Sequence, residues 1–420
     1  MKRNTEKEIG YKITEVGMIP IEWEVNKLSC YISELQNGTS INAGDRASKL
    51  DESGILKTSS ITKQGFKPSE NKVISQKEAM DFKVYPKKEN LIIVRKNTPE
   101  LVGMVNYVDR DYNNLFLPDL LWQTVFKHED NINRKYIYYY LNTDYYNNII
   151  KKLATGSSNS FPNIRKENFL NIKIAVPKKN EQDKIVAILE NWDRVIELKE
   201  KLLEEKLNQK KGLMESLLTG KIRLKGFDYD WVKVKLDKLF DESKEKSIEN
   251  NQYDILSVTK EGIYLQSEYF NRQIASKDNI GYKVVRKNNL VFSTMNLWMG
   301  SIDILKGYEV GIVSPACKVF YINEELVDIS FMGYFVKSSY MMNLYSLNSE
   351  QGASVVRRNL DLKGLLSTSV KLPNINEQKI IGEIIDSSSK EIDLLKKEIE
   401  LLKQQKKGLM QLLLTGIVRV

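Results

Sequence analysis

The sequence predicts two similar α/β modules of roughly 150–175 residues each, alternating with two long helices in an internal two-fold repeat. Three observations predict this. Lys210–Leu224 (KKGLMESLLTGKIRL) recurs 196 residues later as Lys406–Val420 (KKGLMQLLLTGIVRV). Both blocks end long stretches with helical apolar spacing, and the segments before those stretches are strand-rich and share a weaker repeat. The expected divisions are a first module at 1–176, a first helix at 177–222, a second module at 223–372 and a second helix at 373–420.

The repeat extends backward without a gap. Pro177 pairs with Pro373, Asn180-Glu181-Gln182 with Asn376-Glu377-Gln378, Ile185 with Ile381, Ile188 with Ile384 and Ile196 with Ile392. Each block reads as one helix. Asn180, with Asp183 three residues on, is the expected N-cap, and Thr219-Gly220 and Thr415-Gly416 supply the stops. In the second copy Ile385, Ile392, Ile399 and Leu413 with Leu395, Leu402 and Leu409 follow a heptad broken by Ser388 and Lys406. In the first, Ile185, Leu189, Trp192, Ile196, Leu203, Leu213 and Leu217 make a broader stripe, so the two helices are expected to pack on each other. A helix of roughly 38 residues rises about 57 Å, more than a compact domain needs, which marks it as a spacer. Gly212 and Gly408 recur inside the helices at about 1 kcal/mol each against alanine. Their retention points to close approach of another helix or a partner protein, or to a local kink.

Within the modules, Trp23–Leu28 (WEVNKL) resembles Trp231–Leu236 (WVKVKL), and Lys88–Leu91 resembles Lys287–Leu290. The offsets differ, so the middles have diverged in length while the flanks kept their pattern. Leu91–Val94 and Asn289–Phe292 read as strands. Tyr136–Ile150 and Phe331–Leu347 read as helical. Each module ends in a polar loop: Ala154–Ser160 before Asn163, and Ser349–Ser354 before Arg357-Arg358-Asn359.

Lys and Arg exceed Asp and Glu by 64 to 55, a net charge of +9, and this points to a polyanionic partner such as nucleic acid. The helical blocks are nearly neutral, so the surplus belongs to the modules, which are also rich in Asn, Ser, Thr, Tyr and Arg. The start MKRNTEKEIGYK lacks an apolar signal core and no run of about 18 apolar residues exists, so a cytoplasmic location without a membrane is expected. Two isolated cysteines, Cys30 and Cys317, exclude disulfide frameworks and cysteine zinc sites, and both are expected to be buried. The single histidine, His128, excludes chemistry that needs two imidazoles.

Catalytic motifs are missing. None of the 22 glycines forms a GxG, Gly220-Lys221 is followed by Ile222, and no Pro-Pro pair of an adenine methyltransferase motif occurs. Acidic-x-lysine spacings such as Asp81-Phe82-Lys83 are no more than this composition produces by chance. No catalytic residue and no metal ligand is assigned.

The whole chain resembles the specificity (S) subunit of a Type I DNA restriction-modification enzyme. The resemblance rests on the paired Pro-x-x-Asn-Glu-Gln helix entries, the paired KKGLM…LLTG endings, the approach Val16–Trp23 (VGMIPIEW) and the restart Gly226–Trp231. It implies two target recognition domains joined by two antiparallel helices forming a coiled coil, each domain reading half of a bipartite, asymmetric DNA site in the major groove. It also implies a non-catalytic subunit. Two modification subunits would bind S-adenosylmethionine and methylate adenine, and two restriction subunits would use ATP and Mg²⁺ to translocate and cut. On this resemblance the expected DNA-binding residues are Arg95, Lys96, Asn97, Ser158, Asn159 and Arg165 in the first module, and Thr294, Asn296, Lys318, Arg357, Arg358 and Asn359 in the second. The modification subunits are expected at Gly212, Leu213, Met214, Gly408, Leu409 and Met410. The alternatives are a coiled-coil scaffold without DNA binding, the specificity component of another multisubunit restriction system, and a self-sufficient nuclease or methyltransferase, which the missing motifs oppose.

Overall fold

The computed structural model describes residues 10–39, 43–79, 83–127, 131–154, 161–270, 278–351 and 358–420. They form two compact units: Met1–Leu198 with Ile399–Val420, and Lys199–Glu398.

Unit 1 is built on a four-stranded antiparallel sheet in the order Val105–Tyr107, Leu91–Val94, Leu121–Phe126, Ile32–Asn37. Leu91–Val94 is buried throughout, and its alternation explains why: Leu91 and Ile93 enter one apolar cluster while Ile92 and Val94 enter another on the opposite face. Unit 2 repeats the sheet in the order Ile302–Ile304, Leu290–Ser293, Cys317–Ile322, Phe240–Glu242. There Leu290 and Phe292 face one cluster and Val291 the other. The residue before each central strand's entry turn is left-handed, Glu89 at φ 63° and Asn288 at φ 68°, which accounts for the short resemblance between 88–91 and 287–290. Each module is closed by its last strand returning to a strand near its start: Lys173–Val176 pairs with Glu24–Lys27, and Ser369–Leu372 with Val232–Lys235.

The tyrosine-rich stretch is two helices, Arg134–Tyr140 and Asp144–Leu153. Thr143 ends the first run and caps the second by accepting the Tyr146 N–H. Unit 2 breaks likewise at Ser338, between Ile329–Phe335 and Ser339–Leu347.

The long helices span Lys179–Leu218 and Ile375–Leu414, 40 residues each. Asn180 is not the cap expected from sequence. The N–H groups of Glu181 and Gln182 already donate to the Lys178 carbonyl, so Asn180 lies inside the first turn. In the second copy the cap is Asn374, whose Oδ1 accepts the Glu377 N–H at 3.0 Å. Both stops are as expected: Gly220 and Gly416 take φ of 70° and 71°, and Thr219 and Thr415 donate to carbonyls four residues back. Gly212 and Gly408 have open space where a Cβ would stand, with no described residue within 4 Å of that point. Cys317 is buried, which pushes its thiol up to about 11. Cys30 is exposed, against expectation, because in the single turn Leu28–Cys30 it is Leu28 that takes the core position.

Within unit 1, the first half of one long helix runs antiparallel to the last half of the other: Glu181 meets Arg419 and Asp193 meets Lys406. Within unit 2, Lys199 meets Glu398, Lys206 meets Glu391 and Arg223 meets Glu377. Both helix halves enter the module core in each case, through Ile185, Leu189, Leu413 and Leu414 in unit 1 and Leu217, Leu218, Ile381 and Ile385 in unit 2. Among the described residues no helix is long and apolar enough to cross a membrane.

Candidate nucleic-acid interface

The repeated residues build joints. In unit 1 the Gln182 amide donates to the carbonyls of Pro177 (2.9 Å) and Asn131 (3.1 Å), and its oxygen accepts the Asn133 N–H (2.7 Å). Gln378 does the same in unit 2, with Pro373 (2.9 Å), Leu326 (3.0 Å) and the Asp328 N–H (2.9 Å). Asn133 and Asp328 are the N-caps of the helices at 134 and 329, so each glutamine ties a long helix to a helix of its module. The neighbouring glutamate carries the second tie. Glu181 accepts from Trp23 Nε1 at 3.2 Å and from the Arg419 Nη2 at 2.9 Å. Glu377 accepts from Arg223 Nε and Nη2 at 2.9 and 3.0 Å. The hydrogen bond to each glutamate raises the arginine pKa, and each guanidinium stands over a tryptophan ring, Trp23 or Trp231.

A third contact lies one helical turn or more further along. In unit 1 the Tyr139 hydroxyl donates to Asp193 at 2.7 Å, and Lys406 reaches both Asp193 and the face of the Tyr139 ring. In unit 2 Tyr334 donates to Asp386 at 2.6 Å, with Lys210 over its ring. Burial, then the Asp386 carboxylate, pushes Tyr334 up to about 12, and burial lowers the Lys210 ammonium. Lys406, which interrupts the heptad in the sequence, therefore does so to meet a module side chain.

The candidate base-reading residues gather at corresponding places. In unit 1 the segment after the central strand meets the segment before the last helix: Lys96 bridges Asn163, the Asn97 N–H donates to Pro162, and Ile164 donates to Arg95. Arg95 faces Asp119 at 3.7 Å, Lys96 and Arg165 are exposed, and Arg165 precedes the helix Lys166–Leu170. In unit 2 the matching meeting is between Thr294–Gly300 and the strand Arg358–Leu360, with the Arg358 guanidinium 4.2 Å from the Trp298 ring centre. Thr294 spends its hydroxyl on the Ala316 carbonyl, and Asn296 leads the short turn Leu297–Met299. Asn359 is exposed. Lys318 stands apart from this group, on the strand Cys317–Ile322, and is held by Glu242. Ser158, Asn159, Arg357 and His128 lie outside the described residues. Trp298 and Ser346, which holds Arg358 at 3.2 Å, were not singled out from sequence, because neither sits in a repeated motif.

Of the residues expected to meet a partner subunit, Leu213 and Met214 pack against the unit 2 core and Leu409 and Met410 against that of unit 1. Only the flanking glycines present open surface. Among the described residues no cluster of side chains suits a metal ion.

A model of the Type I restriction modification DNA specificity domain matches residues 20–208 and 229–404. The MjaVIII specificity subunit of Methanocaldococcus jannaschii, a type I restriction enzyme component, is 31% identical over 228 residues, 52% of this chain; the match spans about half, 51%, of that relative's length. The putative MjaX specificity subunit of the same organism is 27% identical over 446 residues, 99% of this chain and 98% of that protein. Among solved structures, the S subunit of the type I system of M. genitalium matches with a TM-score of 0.53 at 15% identity, over 99% of this chain and 98% of that one. A chain from a structure of type I assembly and conformational transition matches with a TM-score of 0.58 at 15% identity, over 95% and 99%. These two likenesses concern the fold.

Proposed function

Because the chain belongs to the Type I restriction-modification DNA specificity family, whose members are recognition components without catalysis, we propose that it reads a bipartite, asymmetric double-stranded DNA site. Each module takes one half-site. The observation that carries this reading is duplication with selective divergence: the Glu181–Arg419 and Glu377–Arg223 pairs and the ties of Gln182 and Gln378 are repeated, while the module tips share a position and few of their residues. A shared frame with different reading ends is what an asymmetric target asks of a duplicated protein.

At those tips Lys96 and Arg165, with Arg95, supply positive charge to phosphates in a salt-dependent way, and Asn97, Asn296, Arg358 and Asn359 supply the groups that pair with base edges. Ser158, Asn159, Thr294, Lys318 and Arg357 complete the proposed set. The long helices act as the spacer that fixes the gap between half-sites. Two modification subunits dock on the helix faces opened by Gly212 and Gly408, and two restriction subunits join them. S-adenosylmethionine, ATP and Mg²⁺ belong to those partners in this reading, and the assembly works in the cytoplasm without a membrane.

The test is co-expression with the modification subunits and single-molecule sequencing of host DNA for N6-methyladenine. One split, asymmetric motif that disappears without this chain is expected. Functional partners with no new motif would refute DNA reading and favour a scaffold. Gly212→Trp with Gly408→Trp is expected to abolish assembly, and intact assembly would refute the docking faces.

A further inference from the structure

We propose that Arg358 reads a single guanine in the half-site of the second module, and that Trp298 and Ser346 are the residues that position it. This rests on the DNA-reading function above and assigns one base contact within it.

Ser349–Gln351 and Arg358–Leu360 form a two-stranded antiparallel ribbon with Gln351 opposite Arg358 at the far end of the described ladder. The ribbon is rooted where the helix Ser339–Leu347 ends: the Ser349 hydroxyl donates to the Tyr345 carbonyl at 2.7 Å and the Asp361 N–H to Asn348 at 2.9 Å. A two-stranded ribbon is one of the elements the B-DNA major groove admits. Nothing in the fold of the module core requires an arginine at its end.

The guanidinium is held in two ways before any ligand arrives, and one of its donors is left unmet. It stacks on Trp298 with 4.2 Å to the ring centre, its Nη1 donates to Ser346 Oγ at 3.2 Å, and its Nε is enclosed with no acceptor. Nη2 has no partner among the described residues. The remaining Nη1 and Nη2 hydrogens are a planar fork, the geometry that meets guanine O6 and N7 together.

The choice of neighbours is the second argument. Arg46, Arg95, Arg134, Arg223, Arg286 and Arg419 each meet a carboxylate. Arg358 is held by a ring and a hydroxyl, which fix its plane and leave its charge uncompensated among the described residues. A lysine would serve a phosphate as a point charge; a plane fixed by an aromatic face matters when two acceptors must be met at once.

The experiment uses the full complex of this chain with its modification subunits. Arg358→Lys, Trp298→Ala and Trp298→Phe are compared for the methylated motif in host DNA and for binding to duplexes changed at each recognised position. Arg358→Lys and Trp298→Ala are expected to lose about ten- to a hundredfold of discrimination at one G·C pair of one half-site, with the other half-site and the salt dependence unchanged. Trp298→Phe, which keeps a stacking face, is expected to retain most of it. If Arg358→Lys fails to assemble, Trp298→Ala carries the same expectation with the charge in place. Unchanged specificity in both variants, or a uniform weakening of all sequences with a shallower salt dependence, overturns the assignment, the latter in favour of a phosphate contact. If the wild-type complex itself yields no split motif, the DNA-reading function falls and this assignment with it.

Discussion

Arg223→Ala is expected to destabilise unit 2 more than Glu377→Ala, although both delete the same ion pair. The Glu377 side chain is 1% exposed and the Arg223 side chain 29%. Without the arginine, a carboxylate stays enclosed with no counter-charge, a situation that costs about 3–5 kcal/mol. Without the glutamate, the guanidinium keeps the Tyr229 carbonyl at 2.8 Å, the face of Trp231 and access to water, so the loss is about 1–2 kcal/mol. The double variant removes the stranded charge and is expected to fall short of the summed losses by about 2 kcal/mol. Urea unfolding followed by tryptophan fluorescence reads this directly, with a midpoint drop of about 1–2 M for Arg223→Ala and under about 1 M for Glu377→Ala. Equal losses, or strict additivity, would refute the argument that burial of the carboxylate controls the joint.

In unit 1 the corresponding Arg419→Ala is milder, about 2 kcal/mol, because Trp23 Nε1 still donates to Glu181; deleting residues 419–420 is expected to match it in the same urea assay. Gly212→Ala and Gly408→Ala meet open space and are expected to raise the stability of the free chain by about 0.5–1 kcal/mol each, measured by thermal melting. Burial and Asp386 hold Tyr334 near about 12. Its folded pKa is raised above the unfolded value near 10, so its contribution is complete below about pH 10 and is lost as pH climbs toward 12. Melting temperature against pH, with tyrosinate absorbance recorded alongside, is expected to fall across that window and to fall less in Tyr334→Phe.

Much of the frame was legible because it depends on local pattern. The heptads, the Thr-Gly stops and the apolar strand Leu91–Val94 state their structure within a few residues of themselves. The helix break at Thr143 was hidden because a capping threonine is written the same way as any helical threonine. The purpose of the Glu-Gln pairs was illegible for a different reason: Glu181 meets Trp23 across 158 residues and Arg419 across 238. The heptad-breaking Lys406 looked like a defect until Asp193 and Tyr139 were seen beside it. At the module tips the residue types were legible and their grouping was not. Arg358 and Asn359 stood out as polar residues in a loop, whereas the platform beneath Arg358 is made by Trp298, far earlier in the sequence.

The pairing of the joints bears on how the two modules came to differ. In each unit the glutamate at the start of one long helix is met by the arginine just after the end of the other, Glu181 by Arg419 and Glu377 by Arg223. The Glu–Arg contacts that hold a module therefore come from both copies of the repeat, so neither copy can lose Arg223 or Arg419 without stranding a buried glutamate of the other, whereas each glutamine ties within its own copy. Residues at the tips carry no such obligation. Pro162 and Arg358 occupy matching places in the two modules, each three residues before the cap of the following helix, yet differ in type, one accepting the Asn97 N–H and the other stacked on Trp298. A change at either tip is felt by whatever that tip touches and leaves the clamps at the helix ends intact, and this separation lets one frame carry two different reading surfaces.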